Sequence, residues 1–190
     1  MVVKRTSRAG FTVPGLSLQD GHKLAGLLQT RLHALNDLAL TLKHAHWNVV
    51  GRDFISVHEM LDPQIDLVRA MIDETAERIA TLGISPNGLP GALVAARPWD
   101  DYSIGRAHTS AHLAALDLVY TGFLKSHRKT LAEVGELDAI TEDMLINQCA
   151  QLELFQWFMR AHLEDDDGDL ATAGSKTERS AAAKTKPLPA

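Results

Sequence analysis

The chain has 190 residues and a formal net charge of −5 at pH 7, with 45% hydrophobic and only 5% aromatic side chains. This length fits one domain with a full hydrophobic core, and the abundance of Leu and Ala favours helices over strands. No stretch approaches the roughly 18 consecutive apolar residues of a membrane span, and the N-terminus lacks the apolar segment of a secretory signal. The single cysteine, Cys149, excludes an intrachain disulfide and suits a reducing compartment. We therefore expect a cytoplasmic protein that does not bind membranes.

The chain begins with a short basic segment. Residues 1–16 show no helical periodicity and are predicted to form an irregular arm. The charged side chains of this arm are all basic and lie at Lys4, Arg5 and Arg8. A basic end attached to an acidic body is a charge pattern typical of segments that contact an anionic partner.

Two long helices are predicted to follow the arm. Ser17, with Asp20 three residues later, resembles a capping box at the start of the first helix. Gly51 is expected to end that helix, since glycine is common just beyond helix C-termini. Asp53 can then cap a second helix, which Gly83 would terminate. The short connection between the two helices makes them neighbours in space.

The second half of the chain repeats this pattern after a long connection. Residues 84–101 are rich in Pro and Gly and are predicted to cross the bundle, with a short helix at Ala92–Ala96. Further helices are predicted at about 104–134 and about 139–164. The crossover lets the third helix run parallel to the second. The predicted fold class is therefore all-α, a ferritin-like four-helix bundle with one long crossover, over residues 17–164.

The chain ends in a segment of biased composition. Residues 165–190 begin with a run of acidic residues and continue with Ala, Ser, Thr, Lys and Pro. Low hydrophobicity and the lack of aromatic residues predict a flexible tail. The basic residues of this tail are Lys176, Arg179, Lys184 and Lys186.

Five candidate metal ligands lie on the first two predicted helices. They are His46, His58, Asp62, Asp73 and Glu77. His58 with Asp62, and Asp73 with Glu77, form two pairs whose members are four residues apart. Both pairs lie within about 20° of one stripe along the second helix, but they are about 16 Å apart along the helix axis. One chain therefore cannot bring both pairs to one ion. The second helix could instead cross its symmetry copy in antiparallel orientation, at a point between Leu67 and Val68. The first pair of one subunit would then lie opposite the second pair of the other subunit, and two identical sites would result.

The ligand types indicate which metals such a site would take. Imidazole and carboxylate ligands suit Fe(II), Mn(II) or Zn(II), and open coordination positions favour redox or catalytic use over a structural zinc site. No Glu-x-x-His motif occurs in the chain, so a site in the centre of a single bundle is not expected. Alternatively, each of the other four residues alone could be an ordinary solvated side chain, and His46 alone could be a hydrogen-bonded, partly buried histidine. His108 and His112 form a rival pair, without a carboxylate at suitable spacing.

At this point the sequence resembles a known family. Residues 42–62, LKHAHWNVVGRDFISVHEMLD, are similar to the signature of the Dps proteins, the DNA-binding proteins from starved cells. The Asp73-x-x-x-Glu77 spacing and the FQWF motif at residues 155–158 fit as well. The resemblance covers about residues 15–164. The Pro-Gly-Leu start and the tailed C-terminus look most like actinobacterial members.

The resemblance implies a ferroxidase. Dps proteins form hollow shells of twelve ferritin-like subunits, which oxidise Fe(II) with hydrogen peroxide and store the ferric mineral inside. Carried over to this chain, the iron ligands would be His46, His58 and Asp62 of one subunit with Asp73 and Glu77 of its twofold mate. Trp47 matches a tryptophan beside the iron centre of relatives, where it is thought to intercept radical equivalents.

The resemblance also implies non-specific DNA binding and association with the nucleoid. Because the body is acidic, affinity would depend on the basic ends and on counterion release, with a strong dependence on salt. The DNA contacts expected from these ends are Lys4, Arg5, Arg8, Lys176, Arg179, Lys184 and Lys186. Two alternatives stay open at this stage: a protein that mainly compacts the nucleoid and binds iron secondarily, and a bundle with only a structural role.

Overall fold

A computed structural model of the protein describes residues 9–185, which are mostly helical. Six helices form in this range: α1 (Leu18–Asn48), α2 (Phe54–Thr81), α3 (Pro90–Ala96), α4 (Thr109–Gly135), α5 (Ala139–Ala161) and α6 (Glu178–Lys184). The predicted all-α bundle with one long crossover and a short helix within it is confirmed. The basic residues Lys4, Arg5, Arg8 and Lys186 lie outside the described residues.

Helices α1 and α2 form a hairpin whose ends were predicted from the sequence. Ser17 is the N-cap of α1, where its hydroxyl accepts a hydrogen bond of 3.0 Å from the backbone N–H of Asp20. Gly51 adopts a φ of +117° in the turn between the helices, and Gly83 adopts a φ of +84° just beyond α2. A Cβ at Gly83 would also lie 2.2 Å from the carbonyl oxygen of Phe11, so only glycine fits this close approach.

A second hairpin of α4 and α5 packs against the first. Asp138 caps α5 by accepting a hydrogen bond of 2.9 Å from the backbone N–H of Thr141. The interior contains leucines of all four long helices, including Leu35, Leu61, Leu116 and Leu152, which are fully buried. Burial of these apolar side chains is the main favourable contribution to the free energy of folding.

The start of α4 differs from the sequence-based expectation. The helix was predicted from about residue 104 but begins at Thr109. The reason is a tertiary contact: the strand β2 (Ala107–His108) pairs in parallel with β1 (Val49–Val50), which directly follows α1. This pairing ties the end of α1 to the start of α4. It therefore holds the α1–α2 turn against the second hairpin.

The C-terminal segment also differs from its prediction as a flexible tail over 165–190. Within that range Glu178–Lys184 forms a helix that packs on α4, and its Ala181 is completely buried in the bundle core. A carboxylate oxygen of Glu178 accepts hydrogen bonds from the backbone N–H and the hydroxyl of Ser103. Composition alone missed this helix because its order comes from contacts with distant residues. The division into arm, bundle and tail stays a prediction.

None of the helices within residues 9–185 is both long and apolar enough to cross a bilayer.

Candidate metal centre

Three of the five candidate ligands converge where α1 and α2 meet at their turn. His46 lies in the last turn of α1, while His58 and Asp62 lie one turn apart near the start of α2. Each of the three offers a ligand atom, and these atoms lie within 4.8 Å of one another. His46 is buried, whereas His58 and Asp62 are half-buried. The hairpin turn thus creates one compact cluster of two imidazoles and a carboxylate.

The two histidines of the cluster hold each other in place. Nδ1 of His46 lies 3.0 Å from the carbonyl oxygen of His58, and Nδ1 of His58 lies 3.0 Å from the carbonyl oxygen of His46. Their rings stack with centroids 3.6 Å apart. Because each Nδ1 faces a carbonyl, we assign its proton to that nitrogen, which leaves the lone pair of Nε2 on each ring for a metal ion.

The carboxylate of the cluster is paired with a lysine. Nζ of Lys43, one turn before His46, donates to Oδ1 of Asp62 at 2.9 Å. This hydrogen bond is the main reason that the pKa of Asp62 lies below its usual value. Nδ1 of His46 also lies 3.4 Å from the same oxygen. Asp62 is therefore ionised and oriented toward the imidazoles, as a metal ligand must be.

The other two candidate ligands lie elsewhere on α2. Asp73 and Glu77 are both exposed, and neither is part of the metal-ligand cluster found within residues 9–185. Along a helix axis, Asp73 is about 16 Å from Asp62, as the rise per residue requires. The structure of one chain thus holds three of the five ligands together and presents the other two on its surface.

The rival pair of histidines has a different environment. His112 is fully buried, and its Nδ1 lies 3.0 Å from the hydroxyl oxygen of Tyr102. Burial lowers the pKa of His112, so its ring is neutral. His108 is the N-cap residue of α4 and is exposed. Within the described residues this pair is not part of any cluster of three metal-binding side chains.

Lys43 is the residue of this centre that the sequence analysis missed. A signal was present, because Lys43 and His46 have the helical spacing of three and so share a face of α1. Its partner could not be identified from the sequence, since Asp62 lies on another helix and 19 residues away. The pairing follows from the packing of α1 on α2.

The predicted DNA contacts at the C-terminal end are partly described. Lys176, Arg179 and Lys184 are exposed, with Arg179 and Lys184 on α6. Nζ of Lys184 donates to the carbonyl oxygen of Ala173. The packing of α6 on the bundle therefore holds the backbone of Arg179 and Lys184 at its surface.

Comparisons with known proteins agree with the fold and with the resemblance. The model of the ferritin-like domain family matches residues 25–168. The DNA protection during starvation protein of Mycolicibacterium smegmatis is 55% identical over 176 residues, which cover 93% of this chain and 96% of that protein. The solved structure of Mycobacterium smegmatis Dps has a TM-score of 0.87 at 55% identity, covering 89% of this chain and 97% of that one. DpsA14 from Streptomyces coelicolor has a TM-score of 0.84 at 58% identity, covering 87% and 99%.

Proposed function

Since the chain belongs to the ferritin-like domain family and, within it, to the Dps proteins, we propose that it is a ferroxidase and iron store. Hydrogen peroxide would be the oxidant, and the site would be shared between two subunits of a dodecameric shell. The ferric product would collect as mineral inside that shell. The protein would act in the cytoplasm, close to the nucleoid.

The division of the ligands is the observation that carries this proposal. His46, His58 and Asp62 converge within 4.8 Å, so one chain supplies half of a coordination sphere. Asp73 and Glu77 are exposed on α2, and they lie too far along this helix to bind the same metal ion as the cluster of their own chain. A twofold crossing of α2 with its copy would place the second pair of one subunit opposite the cluster of the other.

The surface around the cluster supports an interface between copies. Trp47, which follows His46 in the chain, is 71% exposed, and Ile55 at the start of α2 is 58% exposed. Large apolar side chains that are exposed in a single chain are common at contacts between subunits. A partner that covers Trp47 would also close the cluster from solvent on that side.

The donor set fits Fe(II) as a substrate. Imidazole nitrogens and carboxylate oxygens are good ligands for Fe(II), and five protein ligands shared by two ions leave positions for the oxidant. Two Fe(II) ions that each give up one electron reduce one hydrogen peroxide, with two protons, to two water molecules. The role of the protein is to hold the two ions close, so that both electrons reach the same peroxide and no hydroxyl radical is released.

The experiment that tests this proposal compares the wild type with Asp73→Ala. Fe(II) is loaded without oxygen, stoichiometric hydrogen peroxide is added, and ferric absorbance and trapped hydroxyl radical are recorded. We expect fast oxidation with little radical in the wild type, and slow oxidation with more radical in the variant. Asp143→Ala, which removes an exposed carboxylate on α5, is the matched control and should behave as the wild type. Equal behaviour of all three proteins would reject the site.

We propose DNA binding as a second function. The relative from Mycolicibacterium smegmatis is named for DNA protection during starvation, and Lys176 and Arg179 are exposed on or beside α6. Each phosphate contact contributes about −0.9 to the log–log slope of affinity against salt. Changing Lys176 and Arg179 to Gln should therefore make that slope shallower, whereas changing Lys23 and Lys129, also exposed, should not. An unchanged slope would exclude this surface from DNA binding.

A further inference from the structure

The C-terminal segment returns along α4 and is anchored on the bundle at two separate points. We call residues 170–184 the C-terminal strap. The first anchor is Thr172, which is buried and whose hydroxyl lies 3.4 Å from Oδ2 of the buried Asp117 on α4. Oδ1 of Asp117 accepts a hydrogen bond of 2.7 Å from Nε of Arg160, which fixes this carboxylate between α4 and α5. The second anchor is Ala181 of α6, which is completely buried in the core.

Glu178 connects the strap to the chain segment that precedes α4. This residue is the first of α6, and its side chain is half-buried. Its Oε2 atom accepts a hydrogen bond of 2.7 Å from the hydroxyl of Ser103 and a second hydrogen bond from the backbone N–H of Ser103. Hydrogen bonds to a carboxylate are stronger than those between neutral groups. The docked strap therefore holds the backbone at Ser103.

The two neighbours of Ser103 both contact α1 close to the metal-ligand cluster. The carbonyl oxygen of Ile104 lies 3.0 Å from Nε2 of His44. The ring of Tyr102 meets the ring of His44 edge-on, with centroids 5.9 Å apart. His44 lies two residues before the candidate ligand His46 on the same helix. The segment held by the strap thus contacts the end of α1 that carries one of the ligands.

We propose that Glu178 is a positioning residue of the metal centre, and that docking of the strap and metal binding at the cluster stabilise each other. Glu178 holds Ser103, the adjacent carbonyl of Ile104 holds His44, and α1 carries this order on to His46. Without Glu178 the end of α1 is less ordered, so metal binding must supply the ordering itself and becomes weaker. Coupling between two sites is reciprocal, so a bound metal ion must in turn hold the strap more firmly. The inference rests on the proposed function, because it takes the cluster as the metal site.

The first test is calorimetric titration of the full-length chain with Zn(II), a redox-inert probe of the cluster. Glu178→Ala should bind Zn(II) about fivefold more weakly than the wild type, at the lower end of the usual range of coupling between sites. Glu178→Gln keeps an acceptor oxygen and should restore most of the affinity. Asp166→Ala, which removes an exposed carboxylate just before the strap, is the control and should bind as the wild type does. Wild-type affinity in Glu178→Ala, or equally weak binding in the Ala and Gln variants, would overturn the inference.

The second test measures the reverse effect by hydrogen exchange of the backbone amides of α6, with and without saturating Zn(II). Bound zinc should slow this exchange in the wild type by about the same factor of five, because exchange requires the helix to open locally. His58→Ala, which removes a ligand, should lose this protection together with zinc binding. Exchange in α6 that does not respond to bound zinc in the wild type would overturn the inference.

The two tests also separate this inference from the proposed function. Zinc binding that is absent, or that does not depend on His58, would overturn the metal site and the inference together. Zinc binding that requires His58 but responds neither to Glu178→Ala nor to the opening of α6 would overturn the inference alone and leave the metal site in place.

Discussion

The ammonium nitrogen of Lys43 lies 2.9 Å from Oδ1 of Asp62, so the carboxylate in the proposed iron site already has a cationic partner. An Fe(II) ion that binds Asp62 must share or compete for its carboxylate with this lysine. The ion pair is only partly buried, with Asp62 47% exposed, so solvent screens the competition. Lys43 thus keeps Asp62 ionised and oriented in the metal-free protein without blocking the site.

We predict that Lys43→Met strengthens metal binding. Removing the competing ammonium group should raise the affinity for Fe(II) or Zn(II) by about two- to fivefold, the range expected for a screened ion pair. Anaerobic calorimetric titration of the wild type and the variant measures this change. Lys129→Met, which removes an exposed lysine of α4, is the control and should leave the affinity unchanged. Weaker binding in Lys43→Met would show that Lys43 supports the metal and does not compete with it.

We predict that α6 is stably packed on the bundle. Trypsin should cleave slowly after Arg179 and Lys184 in the wild type, because cleavage requires the helix to unfold locally. Ala181→Asp should accelerate this cleavage at least tenfold, since it places a charge in the core. Ala183→Asp, on the exposed side of the same helix, should have little effect. Cleavage of the wild type as fast as that of Ala181→Asp would support the flexible tail expected from composition.

We predict that Asp138 stabilises the protein in a pH-dependent way. Burial raises the pKa of Asp138, but hydrogen bonds from Thr141 and the ion pair with Arg78, at 2.6 Å, outweigh burial and hold the pKa below its usual value. The stabilisation is therefore complete above the unfolded pKa, about 3.9, and is lost as the pH falls through the lower folded pKa.

Two variants of Asp138 separate its cap from its charge. Asp138→Ala removes both the cap and the charge. It should reduce the free energy of unfolding at neutral pH by about 0.5–2 kcal/mol, the usual effect of losing a helix cap, or by more. Asp138→Asn keeps a capping oxygen, so it should lose less stability and also flatten the decline in acid. Urea unfolding as a function of pH provides the measurement. An Asn variant with the acid decline of the wild type would exclude Asp138 as its source.

Sequence and structure agree best where local chemistry decides the result. The start of α1 at Ser17 and the turn at Gly51 follow from capping and from the conformational freedom of glycine. Helical spacing also predicts that His58 and Asp62 share a face of α2, whereas the approach of His46 to this pair depends on the packing of α1 against α2. By contrast, α6 and the β1–β2 pair depend on contacts between residues far apart in the chain. The burial of Arg31 on α1, which is 2% exposed, was missed for the same reason, since a single arginine within a helical pattern normally lies at the surface.

The central claim is that each iron site takes ligands from two subunits, and complementation between two inactive variants tests it most directly. Asp62→Ala and Asp73→Ala would be produced separately and by co-expression, and Fe(II) oxidation by hydrogen peroxide measured for each. If the site is shared, a mixed dimer contains one site with neither change. Random mixing should then restore about one quarter of the wild-type sites, although each variant alone is inactive. Co-expressed protein as inactive as the separate variants would contradict the shared site.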